Sequence, residues 1–224
     1  MRSWFILTLL GSLIACSTAA EEKLPTVVGE AQQRGVAPVE KFDTYTVFAG
    51  GRGSRPMRAQ RFEGATWVEW ELAFDSSAIY DFSGRPYAVD QYDWNKLVGL
   101  KWDFFKPRNN SLLVGWRWNL NTRQIELAPY LHQDGGREMH PPVVQIRPDE
   151  RLSIRIDWSE TKRVRYVFSS AGRAPVTELY TFRVPDHDPW QILHWFGGTQ
   201  AAPHDIALRV YNTRSGIDTG AEMR

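Results

Sequence analysis

Glu69 and Glu71, two positions apart in WVEWELAFD, are a spacing in this chain that suggests chemistry. On a β-strand such residues share one face, roughly 6 to 7 Å apart. A retaining glycosidase needs two carboxyl groups about 5 to 5.5 Å apart, one as acid and one as nucleophile. The pair is therefore the candidate catalytic site of a glycoside hydrolase, set against the plainer reading of an exposed acidic pair. Arg117, Arg155 and Arg165 alternate with apolar residues in LLVGWRWNL, RLSIRIDW and RVRYVF. A guanidinium fork grips a carboxylate or sulfate through two parallel bonds, which suits an acidic glycan. The plainer alternative is cross-strand Arg–Glu pairing on a solvated face. The chain has 10 Trp. Of these, Trp67 and Trp94 fall off the apolar stripes and are the candidates for stacking on sugar rings, followed by Trp190 and Trp195.

Other chemistries are absent from the sequence. The net charge is +1, so no overall field draws the chain to nucleic acid. There is no P-loop, dinucleotide fingerprint, Ser-centred nucleophile elbow or zinc-ligand spacing. Calcium is a candidate only through the loops HQDGG and PDHDP, which read more simply as turns, so no cofactor is expected. The single cysteine, Cys16, ends the stretch LIAC after Arg2 and the apolar run Trp4 to Leu10. That stretch resembles a bacterial lipobox, which implies a signal peptide over 1–16 and a lipid anchor on Cys16. An ordinary secretory signal cut near Ala19 or Ala20 is the alternative. Export to the cell envelope follows, lipid-anchored to a membrane or otherwise secreted or periplasmic. With its cysteine lipidated or removed, the mature chain has no thiol nucleophile.

The elements that must position the candidate residues are strands. From Asp43 to Arg214 apolar residues recur at every second position. Val68, Trp70, Leu72 and Phe74 share a face, as do Val98, Leu100, Trp102 and Phe104. Leu112, Val114, Trp116, Trp118 and Leu120 repeat the pattern, followed by Leu152, Ile154, Ile156 and Trp158, then Val164, Tyr166 and Phe168. Ile206, Leu208 and Val210 close the series. Shorter strands are expected at 44–48, 124–130, 143–146, 179–184 and 192–196. The stretches NLNTR, HQDGGRE, RPDE, WSETKR and SSAGRAP supply the turns. About ten to twelve mostly antiparallel strands fold as a β-sandwich or jelly roll. Residues 17–42, with Pro25, Gly29, Gly35 and Pro38, read as a tether, and 215–224 as a frayed tail.

In HWFGGTQAAPHDIALRV, Gly197 and Gly198 permit backbone angles closed to other residues. Pro203 holds the chain extended before the last strand. His204 and Asp205 at its start read as a structural corner, with His204 partly buried and bonded to a backbone carbonyl. A ligand or catalytic role for His204 is the alternative.

Three stretches, DWNKLVGLKW, LLVGWRWNLNTRQIELAPYLHQDG and HWFGGTQAAPHDIALRV, together resemble a group of uncharacterised exported proteins of Bacteroidetes-type bacteria. That group is similar to the concanavalin A-like lectin and glucanase sandwiches, which implies that fold and assigns no activity. The carboxylate strand E-x-D-x-x-E of laminarinase-like hydrolases is not present. The resulting expectation is a lipid-anchored sandwich that binds a glycan or other envelope ligand through Glu69, Glu71, Arg117, Arg155, Arg165, Trp67 and Trp94. A glycoside hydrolase or polysaccharide lyase is the first alternative, and a structural, complex-forming envelope protein the second.

Overall fold

In the computed structural model of the protein, residues 40–218 are described. The expected signal peptide and lipobox with Cys16, the expected tether up to residue 39 and the expected tail from residue 219 lie outside the described residues. The described residues form twelve strands and two short 3-10 turns at Ser76–Ala78 and Ala88–Tyr92. In chain order the strands are β1 (Asp43–Val47), β2 (Trp67–Phe74), β3 (Asn95–Lys101), β4 (Asn110–Asn119), β5 (Gln124–Gln133) and β6 (Gly136–Met139). They continue as β7 (Val144–Ile146), β8 (Leu152–Glu160), β9 (Arg163–Ser169), β10 (Val176–Thr181), β11 (Trp190–Ile192) and β12 (Ile206–Gly216).

Two six-stranded antiparallel sheets result. The first runs β1-β12-β2-β8-β9-β10; the second runs β11-β3-β4-β5-β6, with β7 sharing the β6 edge of β5. The fold is an all-β jelly-roll sandwich. Its core lies where the apolar stripes meet: Val68, Trp70, Leu72 and Phe74 of β2 face Leu112, Val114 and Trp116 of β4, all buried. Phe74 and Trp116 touch with ring centroids 4.5 Å apart. Each such side chain contributes roughly 1.5 to 3 kcal/mol through burial, which is why period-two patterning fixes these faces.

Several details depart from the sequence pattern. The HQDGGRE stretch is a tight hairpin, because Asp134 and Gly135 both take positive φ (51° and 82°), the geometry of a two-residue turn whose twist suits paired strands. It launches β6, whose first residues belong to a stretch that reads as turn in the sequence. Phe104 is not core but 42% exposed. The Asp103 carboxylate accepts bonds from the backbone N–H of Phe105 and Lys106, which turns the chain off the strand. Strand β12 continues through Ser215 and Gly216, which pair with Val68 and Trp67, so the ordered strand extends into the expected tail. The strands anticipated at 179–184 and 192–196 lie earlier, as β10 and β11.

Candidate functional site

The seven ligand residues expected from the sequence do not converge. Trp67, Glu69 and Glu71 of β2, Arg155 of β8 and Arg165 of β9 lie on the first sheet, whereas Arg117 of β4 and Trp94, just before β3, belong to the second. Alternation places residues on a face correctly but does not say which sheet carries that face, and the outer faces of a sandwich point apart. On the first sheet the charges satisfy one another. Glu69 accepts bonds from Ser153 Oγ (2.7 Å) and Arg214 (2.6 Å), and Glu71 from Arg151 (3.0 Å). Arg165 bonds Asp157 at 2.8 Å, and Arg155 lies 4.2 Å over the Trp67 ring and 3.5 Å from Asp157. Burial pushes the Asp157 carboxyl up, but bonds from Ser159 and Arg165 outweigh it and hold it below the usual range. This is a cross-strand ion-pair network, with its carboxylates already engaged.

The second sheet is different. Ser111 of β4 stands opposite His132 of β5, which stands opposite Arg137 of β6; Leu113, Tyr130 and Met139 form the next row. Alternation puts both rows on the face away from the core. Lys96 of β3, opposite Gly115, joins them. Lys96, Tyr130, His132, Arg137 and Met139, together with Arg52, Asp93, Trp94, Arg108, Trp195, Gly197 and Gly198, line a groove of about 700 Å³. Arg52 is committed, donating to the carbonyls of Gly198, Thr199 and Gln200. The cationic heads of Lys96, Arg108 and Arg137 have no hydrogen bond or ion pair among the described residues, and Asp93 is the one carboxylate in the lining. Cations outnumber carboxylates in this lining, which leaves the groove with a positive potential that attracts anions.

At the groove floor His132 Nδ1 meets Ser111 Oγ at 2.9 Å, and the Tyr130 and His132 ring centroids are 4.8 Å apart. Burial first, and then the charges of Lys96, Arg108 and Arg137, push the His132 pKa down to about 4. The imidazole is therefore neutral at physiological pH. Burial, then Arg108, lowers Lys96; burial, then Asp90, raises Asp93 against the lowering charge of Arg137. Arg117 adjoins the groove rather than lining it. Its Nε donates to the buried Glu126 at 2.7 Å, and its guanidinium lies 4.4 Å over the Trp94 ring.

Of the corner residues, Gly197 and Gly198 line the groove. Gly197 N–H donates to Asn95 Oδ1 at 2.7 Å, and Gly198 takes φ 76°, a region that favours glycine. Asp205 Oδ1 accepts from Ala49 N–H (2.8 Å), and His204 Nε2 lies 2.8 Å from the Ser77 carbonyl. His204 is exposed rather than partly buried, because that carbonyl sits on the surface turn Ser76–Ala78. The calcium candidates are engaged elsewhere: Asp134 with Arg183 at 2.6 Å and Asp188 with Gly64 N–H at 2.9 Å. Among the described residues no group of three or more His, Cys, Asp or Glu is placed to hold a metal.

No family model matches the chain, and no curated protein matches it in sequence. An alginate lyase from Klebsiella pneumoniae superposes with a TM-score of 0.51 at 10% identity, covering 69% of this chain and 60% of the lyase. The fold is that of the concanavalin A-like sandwiches. An alginate lyase from Aplysia kurodai (TM-score 0.48, 14% identity, 77% of this chain and 79% of that one) is also similar. So is a pentraxin from Limulus polyphemus (TM-score 0.38, 9% identity, 77% and 75%). The chain thus spans about three fifths of the Klebsiella enzyme's length.

Lys96, Arg108, Tyr130, His132 and Arg137 were not singled out from the sequence. One signal was available. In QIELAPYLHQ the residues off the apolar stripe, Glu126, Ala128, Tyr130 and His132, are also buried. A strand with apolar or aromatic residues on both sides marks a face that something covers or curves around.

Proposed function

We propose that this chain binds an acidic polysaccharide in the groove of the second sheet. The observation that carries the reading is the set of cations Lys96, Arg108 and Arg137, without an ion pair among the described residues and outnumbering the single carboxylate, Asp93, on one concave surface. Carboxylates or sulfates of the ligand would supply the missing counter-charge through charge-assisted bonds. The sandwich shared with alginate lyases supports a polyuronate as the first ligand to try. The lipid-anchored, exported setting expected from Leu13–Cys16, and the likeness to exported Bacteroidetes-type proteins, belong to this proposal. A protein held at the envelope meets such polymers.

The neutral His132 beside Tyr130 favours a second reading, a polysaccharide lyase. The groove cations would neutralise the uronate carboxylate and so acidify the C5 proton. The tautomer with Nδ1–H donating to Ser111 leaves Nε2 of His132 free to take that proton. As the C4–C5 double bond forms, the C4–O4 bond breaks, and the Tyr130 hydroxyl donates a proton to the departing O4. No water, metal or oxidant is consumed.

Affinity electrophoresis of the full chain in alginate and in neutral dextran tests the binding. Alginate alone retards the wild type, and Arg137→Ala weakens binding about tenfold, the value of one charge-assisted bond. Arg155→Ala on the first sheet changes nothing. Equal migration in alginate and dextran contradicts the proposal. A rise in the ultraviolet absorbance of unsaturated uronate, lost in His132→Ala, adds the lyase reading.

A further inference from the structure

Two of the groove's walls are tryptophans seated on glycines. A Cβ at Gly115 would stand 3.1 Å from Trp94 Cε3 and 3.4 Å from its Cδ2; a Cβ at Gly53 would stand 3.1 Å from Trp195 Cζ3. Both indoles therefore lie close against glycine backbone, and a Cβ at either glycine would press on the ring. Each has a further contact. Arg117 lies 4.4 Å over the Trp94 ring, itself fixed by Glu126 and by the Tyr92 carbonyl at 2.8 Å. Trp195 exchanges backbone bonds with Lys96 (2.8 and 2.9 Å), and Arg52 grips the carbonyls of the loop that follows. Trp195 nevertheless remains 43% exposed. An exposed aromatic held this firmly serves a contact: its ordering cost is met in folding and need not be met again on binding.

We infer that Trp94 and Trp195 are two preformed platforms for the C–H faces of sugar rings, and that the groove takes an extended oligosaccharide. This rests on the acidic-polysaccharide reading and names its ligand more closely. Gly115, beneath Trp94, and Ser111, beside His132, are four residues apart on β4, about 13 Å by strand rise. A single sugar ring does not reach from the indole end to Arg108 and Arg137. A chain does, with its rings stacked at one end and its anionic groups bound at the other. The cations confer charge selectivity, and the platforms confer dependence on chain length.

Calorimetric titration of the full chain with an alginate hexasaccharide and with the disaccharide tests this. Trp94→Ala and Trp195→Ala each weaken the hexasaccharide about tenfold and leave the disaccharide unchanged. Trp94→Phe and Trp195→Phe, which keep an aromatic face, retain most of the affinity and guard against loss of fold. Hexasaccharide binding equal to wild type in both alanine variants overturns the platforms while leaving the acidic-polysaccharide reading standing. Wild-type binding of neither oligosaccharide overturns both.

Discussion

Acid should unfold this protein through two histidines buried in their neutral form, and one of them offers a clean perturbation. His194 is 1% exposed. Its ring sits edge-on to Phe74 (5.7 Å) and Trp116 (5.5 Å), and neither nitrogen has a hydrogen-bond partner among the described residues. A proton there would place an uncompensated charge in the core, so burial pushes its pKa down to about 3. His132 is pushed down to about 4. Between these values and the unfolded value near 6.5, the unfolded chain binds protons that the native state does not. Stability is therefore complete above about pH 6.5 and falls as pH falls, by about 1.4 kcal/mol per pH unit for each group. From pH 6.5 to 4.5 the two together remove about 5 kcal/mol, comparable with the whole stability of a marginal domain. The assay is urea unfolding of the full chain at stepped pH, followed by tryptophan emission and circular dichroism. His194→Phe keeps a ring against Phe74 and Trp116 without a titrating group. It should match or exceed wild-type stability at pH 7 and flatten the acid slope by about 1.4 kcal/mol per pH unit. A variant that loses stability as steeply as wild type refutes the reasoning.

Two further outcomes follow from the charge networks. Glu126 is buried and accepts bonds from Arg117, Asn119 and Gln145, so Glu126→Ala should cost about 3 kcal/mol. That lowers Tm by roughly 6 to 12 °C in a calorimetric scan, and it weakens hexasaccharide binding by freeing Arg117 from Trp94. Glu69→Ala and Glu71→Ala, on the partly solvated ion-pair face of the first sheet, should each cost less than about 1 kcal/mol. Alginate affinity should be unaltered in both, as read by urea unfolding and titration.

Much of the fold was legible because burial in a sandwich imposes a period of two. Trp70, Leu72, Trp116, Ile154 and Tyr166 all read as core and are core. The groove was harder to see, since it depends on cross-strand register, which alternation does not encode. His132 meets Ser111 because the turn at residues 120–123 sets β4 against β5, and meets Arg137 because the Asp134–Gly135 turn sets β5 against β6. Lys96 reaches the same face through an irregularity in β3, where the register shifts between Lys96 and Gly99 and strict alternation fails. The conspicuous outward charges, Glu69, Glu71, Arg155 and Arg165, drew attention because they alternate cleanly, yet clean alternation on an open face is what paired surface strands show. Trp94 was visible as a residue off every stripe; Gly115 as its seat was not, because the two meet only when β3 and β4 pair.

Hydrogen exchange of the full chain with and without alginate tests most directly where the ligand sits. The account predicts slowed exchange in residues 94–97, 108–113, 130–139 and 195–200, with 67–73 and 151–165 unchanged. Slowed exchange on β2, β8 and β9 with the second-sheet groove unaffected would contradict it.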